Sequence, residues 1–169
     1  MAKIFSLFFV ASLIGGCAAT KPYFGIPEDY SGPTASIKDT SERGSNGAAT
    51  FYYVEQVDGH DVINALSESR RASQGTGFRL NIANVSRPVR AQKITIKIAA
   101  SETESAPIHS IFRAISGGRA TPTAADFEFS PQAGRTYSVI GENRNGKLLV
   151  WLVDDANGER FSPIFGQIK

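Results

Sequence analysis

The chain has 169 residues, 41% hydrophobic and 20% charged, and its 18 Lys and Arg against 16 Asp and Glu give a formal net charge of +2. That is about one domain of chain, long enough to bury a core and too apolar for global disorder. The near balance of charge argues against a general nucleic-acid binder. One Cys excludes an intramolecular disulfide and a Cys-rich zinc site, and two distant His argue against a His-rich metal centre, so no cofactor is expected.

The chain opens on Met1-Ala2-Lys3, a short positive start, followed by an apolar run over residues 4–14 (IFSLFFVASLI) and then Gly15-Gly16-Cys17. This order of charge, apolar run and small residues is that of a secretory signal peptide, and the run is shorter than the roughly 20 residues a spanning helix needs. Ile14-Gly15-Gly16-Cys17 resembles the lipobox of bacterial lipoproteins, a branched apolar residue and two small ones before Cys. The resemblance implies cleavage before Cys17, a diacylglycerol on its thiol and an acyl chain on the new amine. One acyl chain anchors marginally, whereas two or three anchor stably, at about 0.8 kcal/mol per buried CH₂. Ala18 stands where Asp would signal inner-membrane retention in Gram-negative bacteria, which implies the outer membrane, facing the periplasm, with surface display left open. Residues 1–16 are thus read as a signal peptide, 17–48 as the acylated Cys with a flexible tether and loop, and 49–169 as the folded domain.

Residues 18–33 (AATKPYFGIPEDYSGP) show neither a helical nor an alternating period, although Tyr23, Phe24, Ile26 and Tyr30 exceed what a spacer needs. Residues 41–49 (SERGSNGAA) read as a second loop. Strands are then expected at 49–57 (ATFYYVEQV), 78–85 (FRLNIANV), 92–99 (QKITIKIA), 108–115 (IHSIFRAI) and 127–129 (FEF). Ile94, Ile96 and Ile98 point one way while Lys93, Thr95 and Lys97 point the other, the mark of one buried and one wet face. A hairpin follows: a strand at 135–142, a turn at Asn143-Arg144-Asn145-Gly146, and the nearly continuous apolar strand 147–153 (KLLVWLV). Asp155-Ala156-Asn157-Gly158 is another turn, and residues 159–168 suggest a last strand broken by Pro163. Residues 61–71 (DVINALSESRR) fit a short helix started by Asp61. The expected fold is an antiparallel β-sandwich of about 7–8 short strands with at most one short helix.

The stretch Arg90-Ala91-Gln92-Lys93-Ile94-Thr95-Ile96, the run from Phe127-Glu128-Phe129 through Gly134 to Tyr137, and Trp151-Leu152-Val153-Asp154 resemble strand starts and a closing strand of small bacterial envelope lipoproteins. Those have immunoglobulin-like or transthyretin-like sandwiches. The resemblance spans residues 49–161, lacks the Pro-Gly usual before Lys93, and brings no catalytic residues.

Chemistry is sparse. Neither His60, in the turn Asp58-Gly59-His60-Asp61, nor His109, beside Ser110, is placed for nucleophilic catalysis, and no G-x-S-x-G elbow or phosphate loop occurs. The carboxylate pairs Glu102/Glu104 and Asp154/Asp155 read as a solvated loop and a solvated turn; the second misses the spacing of a calcium loop. Arg87, Arg90, Lys93 and Lys97 form either a basic patch for cell wall, headgroups or an acidic partner, or an ordinary solvated strand face. The expected function is a non-enzymatic envelope binding or structural module, held on the membrane by acyl chains on Cys17 and facing a protein or cell-wall partner. The alternative is a small-ligand or glycan binder using exposed aromatics among Tyr52, Tyr53, Tyr137 and Trp151.

Overall fold

Period-two apolar runs become the inner walls of two facing sheets. A computed structural model describes residues 23–44, 47–77, 79–104 and 120–166; Cys17 and its lipobox, the strand expected over 108–115, and His109 lie outside them. Among the described residues the order is β1 (Thr34–Lys38), β2 (Thr40–Arg43), β3 (Ala48–Val57), β4 (His60–Asp61), α1 (Ala65–Ala72), β5 (Ser86–Arg90), β6 (Ile94–Glu104), β7 (Thr123–Phe129), β8 (Thr136–Arg144) and β9 (Lys147–Asp154). One sheet runs β5-β1-β8-β9, and the other β2-β3-β6-β7 with β4 also on β3. This is the expected mainly β sandwich with one helix. The β1–β8 pair is parallel, and the other strand pairs are antiparallel.

The main core lies between the sheets. Ile94, Ile96 and Ile98 of β6 meet Val54 of β3, Ile37 of β1, Val139 of β8, and Leu148, Val150 and Leu152 of β9. Each such side chain contributes about 1.5–3 kcal/mol by leaving water. Phe129, Tyr137 and Phe161 close one end with edge-to-face ring contacts at 4.9–6.2 Å. Gly134, at φ +75°, makes the corner before β8, and the Gln132 N–H donates to the Tyr137 hydroxyl at 2.9 Å. A second cluster covers the outer side of the other sheet, where Ala49, Phe51, Tyr53 and Ala99 take Ala65 and Leu66 of α1 together with Leu80.

Several expected elements take another form. The sandwich begins at Thr34 rather than at residue 49: β1 and β2 lie inside the stretch read as tether and loop. Only Ala35 and Ile37 alternate there, too short a period to stand out, and β2 is a polar edge strand. Residues 79–85 form no strand. Their backbone donors go to the helix instead: Asn81 N–H to Ser73 Oγ at 2.9 Å and Ala83 N–H to Ser69 Oγ at 2.8 Å. Leu80 and Ile82 thereby pack on the sheet as a strap. The helix starts at Asn64 rather than Asp61, because Asn64 and Ser67 form a reciprocal capping box while His60 and Asp61 pair with β3. Residues 159–166 make only isolated bridges to β9, Val153 with Arg160 and Val150 with Phe165. Pro163 between them has no N–H to give a ladder, and Ser162 Oγ accepts from Leu152 N–H at 2.9 Å there. The hairpin turn tightens to Asn145-Gly146, both at positive φ (53° and 80°).

Asp39 sits where the chain leaves the first sheet for the second. Its carboxylate takes a two-pronged ion pair from Arg87 of β5, at 2.7 and 2.6 Å. It also accepts the N–H groups of Val54 (3.1 Å) and Ala65 (2.8 Å). Both ionic side chains are almost wholly buried, at 2% and 0% exposure. Asp39→Ala, which strands the guanidinium, is expected to lower unfolding free energy by about 3–5 kcal/mol in urea titration. Asp39→Leu combined with Arg87→Met recovers part of the loss, the two orphaned N–H groups keeping it from being complete. Gly141 faces Tyr52, and a Cβ there would fall 2.1 Å from the Leu149 carbonyl and 2.3 Å from the Tyr52 ring. Gly141→Ala is therefore expected to cost about 1–3 kcal/mol or more by overpacking, read as a fall in the thermal midpoint.

Candidate functional site

At the end of the sandwich where β8 starts and β9 stops, strand register brings four charged side chains together. Tyr137 opposes Asp154, and the parallel β1–β8 pairing sets Lys38 opposite Ser138. Lys38, Gly134, Arg135, Thr136, Asp154, Asp155 and Ala156 line an open cleft of about 480 Å³. Arg135 donates to Asp154 Oδ2 at 2.6 Å, and Ala156 N–H to Asp154 Oδ1 at 2.7 Å. Lys38 donates to Asp155 Oδ2 at 2.7 Å and Ser138 Oγ to Asp155 Oδ1 at 2.5 Å. All four carboxylate oxygens therefore have a donor.

The consequence is a pair of firmly ionised acids. The Arg135 hydrogen bond, then that of Ala156, holds Asp154 below the usual carboxylate range. For Asp155 burial acts upward, but hydrogen bonds from Lys38 and Ser138 and the lysine's charge outweigh it, and the net shift is downward. Among the described residues no group of three His, Cys, Asp or Glu is placed to hold a metal ion.

The four cations named from sequence do not form a free patch. Arg87 is buried against Asp39. Arg90 of β5 pairs with Asp58. Lys93 pairs with Glu128 at 2.7 Å and Lys97 with Glu55 at 3.0 Å, on the other sheet. Lys93 and Lys97 meet acids of neighbouring strands, whereas Arg87 and Arg90 meet acids in the connections after β1 and β3. The expectation of exposed aromatics is corrected as well: Tyr52, Tyr53 and Tyr137 are buried, because their alternation places them against one of the two cores. Trp151 is half-buried on the outer face of β9, opposite Ile140. Glu102 and Glu104 lie on β6 rather than in a solvated loop, and buried Glu102 accepts the Ala120 N–H at 3.2 Å. His60 is exposed, its ring 5.1 Å from that of Tyr23. Asp39, Lys38 and Arg135 went unnoticed in the sequence, where a lone acid at the end of a five-residue alternation carries no signal of burial.

No protein-family profile, curated protein or solved structure matches this chain.

The depressed acids set the pH response. A carboxylate held low in the folded state stabilises fully above its unfolded value, about 3.9 for Asp, and that contribution is lost as pH falls through the lower folded value. Urea midpoints measured across acid pH are expected to drop from about pH 4 downward, and Asp155→Asn to lower the midpoint at neutral pH while flattening that drop. A wild-type profile reproduced unchanged by the variant would contradict this assignment.

Proposed function

We propose that the protein is a membrane-anchored cell-envelope lipoprotein whose sandwich serves as a non-enzymatic binding or structural module facing the periplasm. The observation that carries this reading is Ile14-Gly15-Gly16-Cys17, placed behind a positive start and an apolar run, with Cys17 the single Cys of the chain. The resemblance to a lipobox implies two or three acyl chains on Cys17, enough for stable attachment. No helix among the described residues is long and apolar enough to cross a membrane, and in this reading attachment rests on the acyl chains. The partner is an envelope protein or a cell-wall component. The ionic pairing around Lys38, Arg87, Arg90, Lys93, Lys97 and Arg135 supports recognition by shape and local hydrogen bonding rather than by bulk charge.

The test is Cys17→Ser, compared with the wild type in membrane fractionation and mass spectrometry. The wild-type chain is expected in the membrane fraction, starting at residue 17 and carrying the mass of its acyl chains. The variant is expected to leave the membrane fraction with its thermal midpoint unchanged, since residue 17 precedes every strand among the described residues. A wild-type chain without acyl mass sinks the reading, as does a variant that stays with the membranes.

A further inference from the structure

The arm ahead of β1 runs along the flank between β5 of one sheet and β4 of the other. Tyr23 forms a parallel bridge with Val62, packs against the main core and sets its ring beside His60. Gly25, at φ +97°, lies so close to the chain of β5 that a Cβ would sit 2.5 Å from the Pro88 carbonyl. Phe24 is held between these two docked residues and stands 58% exposed, the one large hydrophobic side chain so exposed among the described residues. A single exposed apolar residue is ordinary on a protein surface. What distinguishes Phe24 is its distance from the anchor.

On the lipoprotein reading, on which this inference rests, Cys17 lies at the bilayer surface and Phe24 follows seven residues later. Seven residues reach at most about 25 Å when fully extended. A folded domain of this size is roughly 35 Å across. The leash is shorter than the body it holds, so the arm's flank stays near the lipid, and the opposite flank, where Phe127 of β7 meets Phe165 of the segment bridged to β9, points away. We propose that Phe24 is a second, non-covalent contact with the lipid surface, its ring seated at the headgroup boundary, and that it fixes the orientation of the sandwich on the membrane. Aromatic rings favour that boundary. Half-buried Ile26 and Tyr30 follow in the same arm, with exposed Glu28 and Asp29 between them. Both arginines of β5 are already paired, Arg87 with Asp39 and Arg90 with Asp58. The contact is thus apolar rather than ionic, and it resists added salt. Burial of one phenyl ring favours the docked orientation roughly 10-fold or more.

The experiment uses the acylated full chain, reconstituted in vesicles of phosphatidylethanolamine with a minority of phosphatidylglycerol and some brominated lipid. Cys17 is consumed by its lipid, so an introduced Cys is the one free thiol. An environment-sensitive fluorophore is placed at Asp29→Cys, or at Asp126→Cys on β7, where the side chain is exposed. The label at 29 is expected to shift to the blue and be quenched by the brominated lipid in a salt-independent way, while the label at 126 is not. Adding Phe24→Asp is expected to return the label at 29 to the level seen at 126. Equal quenching at the two positions, or quenching at 29 that survives Phe24→Asp, overturns the proposal. A partner protein as the real occupant of Phe24 would appear as equal, absent quenching on these pure lipid vesicles. Flotation of the same vesicles separates the two readings: protein that floats but shows no difference between positions refutes the Phe24 contact alone, and protein that does not float refutes the anchor together with it.

Discussion

The buried pairing of Asp39 with Arg87 is the constraint around which the rest of the molecule is arranged. Two opposite charges removed from water are tolerated only when geometry and further hydrogen bonds satisfy both. Here the guanidinium grips both carboxylate oxygens and also donates to the Ile63 carbonyl at 3.1 Å, its Nε alone lacking a partner, while the carboxylate accepts from β3 and from the first turn of α1. Each donor comes from a different element. One side chain at the sheet-switching corner therefore ties together β1, β2, β3, α1 and β5. An apolar replacement would fill the same space without specifying which elements meet there.

That fixed corner also explains the course of the arm. Arg87 is held in place by Asp39, and Gly25 packs over its aliphatic stem and the adjoining Pro88 carbonyl. Pro88 blunts β5 as an edge strand, since it offers no N–H to a passing chain. The arm covers the same edge. Its aromatic residues, surplus for a spacer, thus have separate uses: Tyr23 plugs the core and Phe24 stays outside.

The sequence disclosed the parts of the fold that depend on long, regular periods. The triple isoleucine alternation of β6, the aromatic run of β3 and the apolar run of β9 each exceed what chance would give a loop, and all three lie where they were expected. Segments failed where another interaction competes with the period. Residues 79–85 alternate like a strand, yet the Ser69 and Ser73 hydroxyls take their backbone donors and hold them on the helix. β1 and β2 were hidden because five- and four-residue strands carry two or fewer apolar repeats. The charged residues were the least legible. Arg87 reads as surface on any composition argument, and only its tertiary pairing with a residue 48 positions away makes it core.

The pairing pattern bears on function as well as on stability. Arg90, Lys93, Lys97 and Arg135 each answer a carboxylate, which cuts the long-range field of those side chains, and what field remains is screened within about 8–10 Å at physiological salt. Such a surface does little to steer a charged partner from a distance. A module of this kind gains little from diffusing to its target and much from being held beside it. Tethering supplies locally what the surface lacks in attraction, because a short leash raises the effective concentration of whatever lies at the same membrane. On the proposed reading the acyl anchor would supply proximity, and the paired cations of the sandwich would leave recognition to shape and local hydrogen bonding.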